Sequence, residues 1–324
     1  MRIKLTAALL AAASLSACAG MSQTGTTGFT SAPLSAEVTS DLPRNARPLH
    51  YAIEIQPNAQ DLTFSGRESV TVEVYEASYA LTLHANSIAV SSAKLFPAKG
   101  GAEGIALEVR DAGDQKVSFA ASDPIQPGTY RLDLEFTGTI NTQANGLFAL
   151  DYPDKRTGAQ TRGLFTQFEA PDARRFAPMF DEPSYKATFQ LSAIVPESQM
   201  AVSNTPAVKE EAVGNGLKKV TFDQTPIMSS YLLFFALGDF ERITKQTPSG
   251  VEVGIVSPTG SGEQARYALD SLAPLVGYFN DYFGVDYPLP KLDNVAAPGQ
   301  SQFFGAMENW GGILTFEYIL LEDP

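Results

Sequence analysis

From residue 49 onward, apolar and polar positions alternate with a period of two. Tyr51, Ile53 and Ile55 alternate with Ala52 and Glu54, and Val70, Val72 and Val74 with Thr71 and Glu73. Tyr130, Leu132, Leu134 and Phe136 alternate with Arg131, Asp133 and Glu135; Tyr185, Ala187, Phe189 and Leu191 alternate with Lys186, Thr188 and Gln190. Successive side chains of a strand point to opposite faces, so each run predicts a half-buried strand with one wet face. Turn signals such as Asp123-Pro124 and Pro127-Gly128 separate the runs. The apolar run 231–237 suits a buried strand. Residues 46–245 therefore predict a mainly β, antiparallel domain, a sandwich or saddle.

The period changes near residue 250. Within 262–283, Leu269, Leu272, Val276 and Phe279 fall on one stripe at helical spacing. Pro274 sits inside this stretch and is expected to kink or split it. Tyr287-Pro288-Leu289-Pro290 follows, and then a short apolar strand, 292–297. The switch places a domain boundary at 243–251, so that 246–324 begins an α+β domain. No internal repeat is visible.

The first 45 residues have neither period. Arg2 and Lys4 precede an apolar stretch, 5–15, that is too short to span a bilayer. Leu15-Ser16-Ala17-Cys18 then resembles a bacterial lipobox, in which the cysteine is acylated. Residues 1–18 thus read as a lipoprotein signal peptide, and the Ser-, Thr-, Gly- and Ala-rich segment 19–45 as a flexible tether. The expected location is that of an exported bacterial lipoprotein, anchored in a membrane and facing the periplasm or the cell exterior. No later segment is long enough to cross a bilayer.

Composition sharpens this by exclusion. The net charge of −13 over 324 residues repels polyanions and argues against nucleic-acid partners. Cys18 is the sole cysteine, so there is no internal disulfide and no multi-cysteine metal site. His50 and His84 are the two histidines, and neither lies in an HExxH motif. Both are expected on strand surfaces rather than as ligands.

Two segments look overdetermined for packing alone. One is Thr166-Gln167-Phe168-Glu169-Ala170-Pro171-Asp172-Ala173-Arg174-Arg175, continuing to Phe180-Asp181-Glu182-Pro183; the other is Gly305-Ala306-Met307-Glu308-Asn309-Trp310-Gly311. On a strand, Gln167 and Glu169 share one face. Glu308 supplies a second carboxylate in a glycine-containing extended segment. Two carboxylates converging in a cleft repel each other unless a cation lies between them, and the free α-ammonium of a peptide is such a cation. A segment with small side chains at Gly305 and Ala306 exposes backbone to which a peptide can add as an extra strand. The simpler reading of Arg174, Arg175, Asp181 and Glu182 is a structural turn with buried ion pairs, and that of Trp310 is a core residue.

These words, in this order, resemble the M1 (gluzincin) zinc aminopeptidases over roughly residues 46–320. Gly-Ala-Met-Glu-Asn is similar to that family's exopeptidase signature, and the Gln-x-Glu-Ala to Phe-Asp-Glu-Pro block to a signature of its N-terminal domain. Met228-Ser229-Ser230-Tyr231-Leu232, Gly238-Asp239-Phe240 and Tyr287-Pro288-Leu289-Pro290-Lys291-Leu292 match further family words. The resemblance implies an N-terminal β domain followed by the incomplete start of a thermolysin-like catalytic domain, cut off before the HExxH motif. It assigns Gln167, Glu169 and Glu308 to the peptide's amino terminus and Gly305, Ala306 and Met307 to its backbone. Phe303 and Phe304 would wall the first side-chain pocket. Zinc is expected for a full-length parent that removes N-terminal residues from peptides; no metal ligand or catalytic residue is assigned in this chain, which alone should be inactive. The alternatives are a non-catalytic M1-like lipoprotein that binds peptides or proteins, and a purely structural β-sandwich lipoprotein, which leaves both motif blocks unexplained.

Overall fold

The alternating runs become strands of one large sheet in the computed structural model, which describes residues 32–98, 103–299 and 305–322. Cys18, the signal segment, Phe303 and Phe304 lie outside the described residues. Eight strands lie in the order Ala207–Gly214, Leu217–Phe222, Thr188–Pro196, Ala46–Asn58, Thr63–Val74, Gly128–Thr139, Ile88–Pro97 and Ile105–Ala106. All neighbours are antiparallel except Ala46–Asn58 with Thr188–Pro196, which run parallel. The apolar phase of each run faces inward: Tyr51, Ile53, Ile55, Val70, Val72, Leu132, Leu134, Phe189 and Leu191 are all buried. Each such side chain contributes about 1.5–3 kcal/mol of transfer free energy. A three-stranded sheet (Ser78–His84, Lys116–Ile125, Glu108–Gly113) adds its apolar face to the same core. The Asp123-Pro124 pair read as a turn lies inside the end of strand Lys116–Ile125.

Two smaller sheets carry the motifs. A four-stranded sheet orders Met200–Ser203, Phe235–Gly238, Gln160–Gln167 and Gly146–Pro153. The run 231–237 is therefore only partly strand: Ser230–Leu232 forms a 3-10 turn before the strand begins at Phe235. A five-stranded sheet orders Phe240–Gln246, Glu252–Pro258, Lys291–Ala297, Gly312–Phe316 and Ala306–Met307. Its three central strands run parallel, and the two outermost pair antiparallel to their neighbours. The helix Arg266–Phe283 covers it through Leu269, Ala273 and Val276 and ends at Gly284, whose φ of 65° suits a glycine C-cap. Pro274 lies within this helix without splitting it, because the buried stripe holds both halves against one sheet. Phe279, expected in the stripe, is instead exposed alongside Tyr278, Tyr282 and Phe283. No helix among the described residues is long and apolar enough to cross a membrane.

Further expectations need correction. The segment 19–45 is not wholly a free tether, since Leu34 and Leu42 are buried in the main core and the Asp41 N–H donates to Glu182 Oε1 at 2.7 Å. Two isolated leucines anchor a stretch that has no periodicity to betray it. His84 is not on a strand surface but fully buried, its ring nitrogens lacking hydrogen-bond partners and Nε2 lying 3.8 Å from Asp41 Oδ2. Burial, reinforced by Arg174, pushes its imidazole down to about 4 against the opposing pull of Asp181, Glu182 and Asp41. His50 is half-buried and bonds Thr188 Oγ1 at 2.8 Å.

One buried charge is left without a counterpart. Glu68 takes a core-facing position opposite Ile53 and Leu134, and both its carboxylate oxygens are buried without a partner. Burial raises its pKa well above the ordinary carboxylate range. A raised folded-state pKa contributes stability that is complete below the unfolded value of about 4.3 and is lost as pH rises through the folded value. Glu68→Leu is therefore expected to raise stability by about 1–3 kcal/mol near neutral pH and to flatten its fall as pH rises above about 4.3. Thermal melts of both proteins across that range check this; an unchanged pH dependence in the variant contradicts it.

Candidate functional site

The two motif blocks meet where the four- and five-stranded sheets pack together. Strand Gln160–Gln167 ends at Gln167, whose side chain is 6% exposed and whose Oε1 is buried with no hydrogen-bond partner. Phe168 is fully buried, and the chain then turns through a cis Ala170–Pro171 bond. Glu169 stands exposed at the start of that turn. Gln167 and Glu169 thus adjoin each other across a strand end and turn, not on one continuous strand face as expected.

The segment behind Glu169 is held by ion pairs. Arg174 donates through Nε to Asp181 Oδ2 at 3.0 Å and through its backbone N–H at 3.1 Å, with both side chains buried. Asp181 Oδ1 accepts from Ser230 Oγ at 2.6 Å, and Arg175 pairs with Asp172 at 2.6 Å. The Arg-Arg and Asp-Glu words are therefore structural, and they tie the Glu169 turn to the turn that carries Tyr231. Tyr231 packs against the main core and also against the core shared by the two smaller sheets. Burial raises the pKa of its phenol, and Glu308 and then Glu169 raise it further, so both carboxylates act on this one hydroxyl.

On the other side, Ala306–Met307 is the edge strand of the five-stranded sheet, pairing with Thr315 and Leu314. Its outer edge pairs with no strand among the described residues. Met307 is buried in the shared core, Ala306 is exposed, and Gly305 accepts a bond from the Phe316 N–H at 3.1 Å. Glu308 follows, exposed. Asn309 is buried, and its Nδ2 lies 3.4 Å from the Leu233 carbonyl. Trp310, expected in the core, is 39% exposed beside an apolar groove of about 720 Å³ formed with Phe279, Phe283 and Val285. Its neighbours in the turn are fixed by their backbone bonds, which leaves the indole free to face outward. Gly311 is required here: its φ is +72°, and a Cβ would stand 2.0 Å from the Asn204 carbonyl oxygen.

These placements can be set beside known proteins. Residues 47–232 match the model of the peptidase M1 N-terminal domain, and residues 267–324 match that of the peptidase family M1 domain. The chain belongs to the M1 peptidase family. It is 36% identical over 283 residues to aminopeptidase N of Acetobacter pasteurianus, covering 87% of this chain and 78% of that protein. It is 36% identical over 296 residues to the puromycin-sensitive aminopeptidase of Caenorhabditis elegans, covering 90% of this chain and 31% of that one. Human endoplasmic reticulum aminopeptidase 1 is 34% identical over 287 residues, covering 87% of this chain and 30% of that protein. The chain thus spans about a third of the length of the animal relatives. Every relative named here is an aminopeptidase, which does not favour the non-catalytic alternative.

M1 aminopeptidases are zinc enzymes. Among the described residues no group of three or more His, Cys, Asp or Glu is placed to hold a metal ion. Buried His84 and half-buried His50 do not form a ligand set. Sequence reasoning gave no role to three residues that build the site: Tyr231, Asn204 and Lys291. Tyr231 and Lys291 lie inside the quoted family words, which was the only signal; Asn204 had none.

Proposed function

We propose that this M1 chain supplies the part of an aminopeptidase that recognises the free amino terminus and leading backbone of a peptide, within a zinc-dependent protein of greater length. The supporting observation is the unmet polarity at the sheet junction. Gln167 Oε1 is a buried acceptor with no donor, next to exposed Glu169, and Glu169 and Glu308 both act on the Tyr231 hydroxyl. An α-ammonium carries three N–H donors and one positive charge. It would satisfy the amide oxygen and place its one charge between the two carboxylates, easing their mutual repulsion. A blocked or internal amide offers neither the charge nor the donors. The free edge of Ala306–Met307, with Gly305 before it, offers backbone groups for the peptide to join as a further strand. Zinc, bound by residues of the longer protein, would activate the water for hydrolysis. The exposed apolar groove beside Trp310 is where the rest of the catalytic domain would pack, and residues 46–245 and 246–324 are the proposed division between the two domains.

The lipobox reading gives the location. We propose that Cys18 is lipidated after removal of the preceding residues, so that the protein is exported and held at a membrane facing the periplasm or exterior. The support is a basic, apolar and small-residue order ending at the sole cysteine. Cys18→Ser is expected to release the protein from the membrane fraction; undiminished membrane association would remove this reading.

In a full-length, zinc-loaded form, Glu308→Ala and Glu169→Ala should each lower kcat/KM on peptides with a free α-amine. Loss of one partner from a desolvated charge pair costs about 2–5 kcal/mol. Both carboxylates are exposed here, so the lower end applies, about 30-fold at roughly 1.4 kcal/mol per tenfold. The double variant should be less than additive, since both carboxylates serve one cation. N-acetylated peptides are the control. Equal proportional losses on blocked and free peptides would show that the carboxylates are structural.

A further inference from the structure

We infer that the buried Lys291 ammonium, together with the Asn204 carboxamide, is the positioning device that fixes how far Glu308 stands from Glu169. The inference rests on the amine-site reading above and goes beyond it by naming what sets the geometry. Glu169 and Glu308 follow strands of different sheets, and among the described residues neither side chain makes a hydrogen bond or ion pair. Their separation is therefore set by whatever joins their backbones.

That join can be followed bond by bond. Thr166, just before Gln167, accepts the Phe235 N–H on its Oγ1 at 2.9 Å. The adjacent Phe234 N–H donates to Asn204 Oδ1 at 2.9 Å. Asn204 Nδ2 then donates to the Leu232 carbonyl at 2.8 Å and crosses to the Trp310 carbonyl at 2.7 Å. Beside it, Lys291 Nζ donates to the Ser203 carbonyl at 2.8 Å and to the Gly311 carbonyl at 2.6 Å, and lies 2.9 Å from Asp293 Oδ2. The two side chains thus grip consecutive carbonyls, at Trp310 and Gly311, in the turn that begins at Glu308. Both are buried, so a slipped turn would strand carbonyls and an ammonium out of reach of water. Apolar packing tolerates small slides of this kind; a compact ammonium aimed at two carbonyls does not. The Gly311 backbone, pressed against the Asn204 carbonyl, leaves no slack on that side.

The test compares wild type, Lys291→Met and Asn204→Ala in this chain. Asp293 keeps Arg242 as a partner, with Nε at 2.9 Å, so Lys291→Met does not orphan a carboxylate; Asn204→Ala serves if it nevertheless fails to fold. NMR titrations with leucinamide and with N-acetylleucinamide give a selectivity ratio for the free amine, and thermal melts give stability. The wild type should prefer leucinamide, with shifts at Glu169 and Glu308. Each variant should lose at least about tenfold of that preference while still melting cooperatively. If the variants are less stable but keep the wild-type ratio within about twofold, the pair is a structural tie and the inference is overturned. If the wild type shows no preference for the free amine, the amine-site reading itself falls and takes this inference with it.

Discussion

The arrangement of the site depends on one constraint: the turn after Glu308 buries carbonyl groups that must find donors, and the donors come from outside its own strand. An unmade hydrogen bond at a buried group costs about 1–3 kcal/mol, so the Trp310 carbonyl fixes the turn to Asn204, and the Gly311 carbonyl, which also accepts the Asp293 N–H at 3.1 Å, fixes it to Lys291. Burying an ammonium is itself unfavourable. Burial pushes the Lys291 pKa down, and Asp293 pulls it back. Asp293 is in turn held by Arg242, which also pairs with Glu252 at 2.7 Å. The charge network belongs to the five-stranded sheet, yet its lysine reaches the Ser203 carbonyl of the four-stranded one. Two sheets that could otherwise slide along a shared apolar core are thereby held in one register.

Around that fixed junction the polar groups point one way. The amide oxygen of Gln167 lacks a donor, Glu169 stands exposed two residues on, Glu308 follows the edge strand, and the chain as a whole carries −13. Neighbouring carboxylates favour a cation between them. The neighbouring edge, Ala306–Met307, presents backbone instead of bulky side chains. In the proposed reading, charge recognition and strand addition are placed side by side by the same short segment, whose Met307 is buried and whose Ala306 is exposed.

Much of this was legible in the sequence, for identifiable reasons. Period-two patterning reports burial on one face of a sheet, and it found the inward positions of the large sheet at Tyr51, Val70 and Leu132. Glycine, small residues and paired carboxylates drew attention to Gln167, Glu169 and the 305–308 segment, whose peptide-binding role is the proposal made above. What patterning cannot report is a side chain buried for a polar reason. His84 and Glu68 sit on strands whose neighbours look ordinary, and Asn204 looks like any loop asparagine. Leu34 and Leu42 anchor the end of a segment by two contacts, which leaves no periodic trace. Trp310 was misplaced because a large aromatic residue is usually core, whereas here its backbone is fixed and its ring is not. The end of the strand at Gln167 depended on the turn through Ala170–Pro171, which overrides the alternation that put Gln167 and Glu169 on one face.

The central claim is that a peptide's α-ammonium is held jointly by residues of two sheets. A crystal structure of this chain soaked with leucinamide tests it most directly. The account predicts the ammonium nitrogen within hydrogen-bonding distance of Gln167 Oε1 and of carboxylate oxygens from both Glu169 and Glu308. Leucinamide bound through only one of the two glutamates, or anywhere away from the junction of the two sheets, would contradict it.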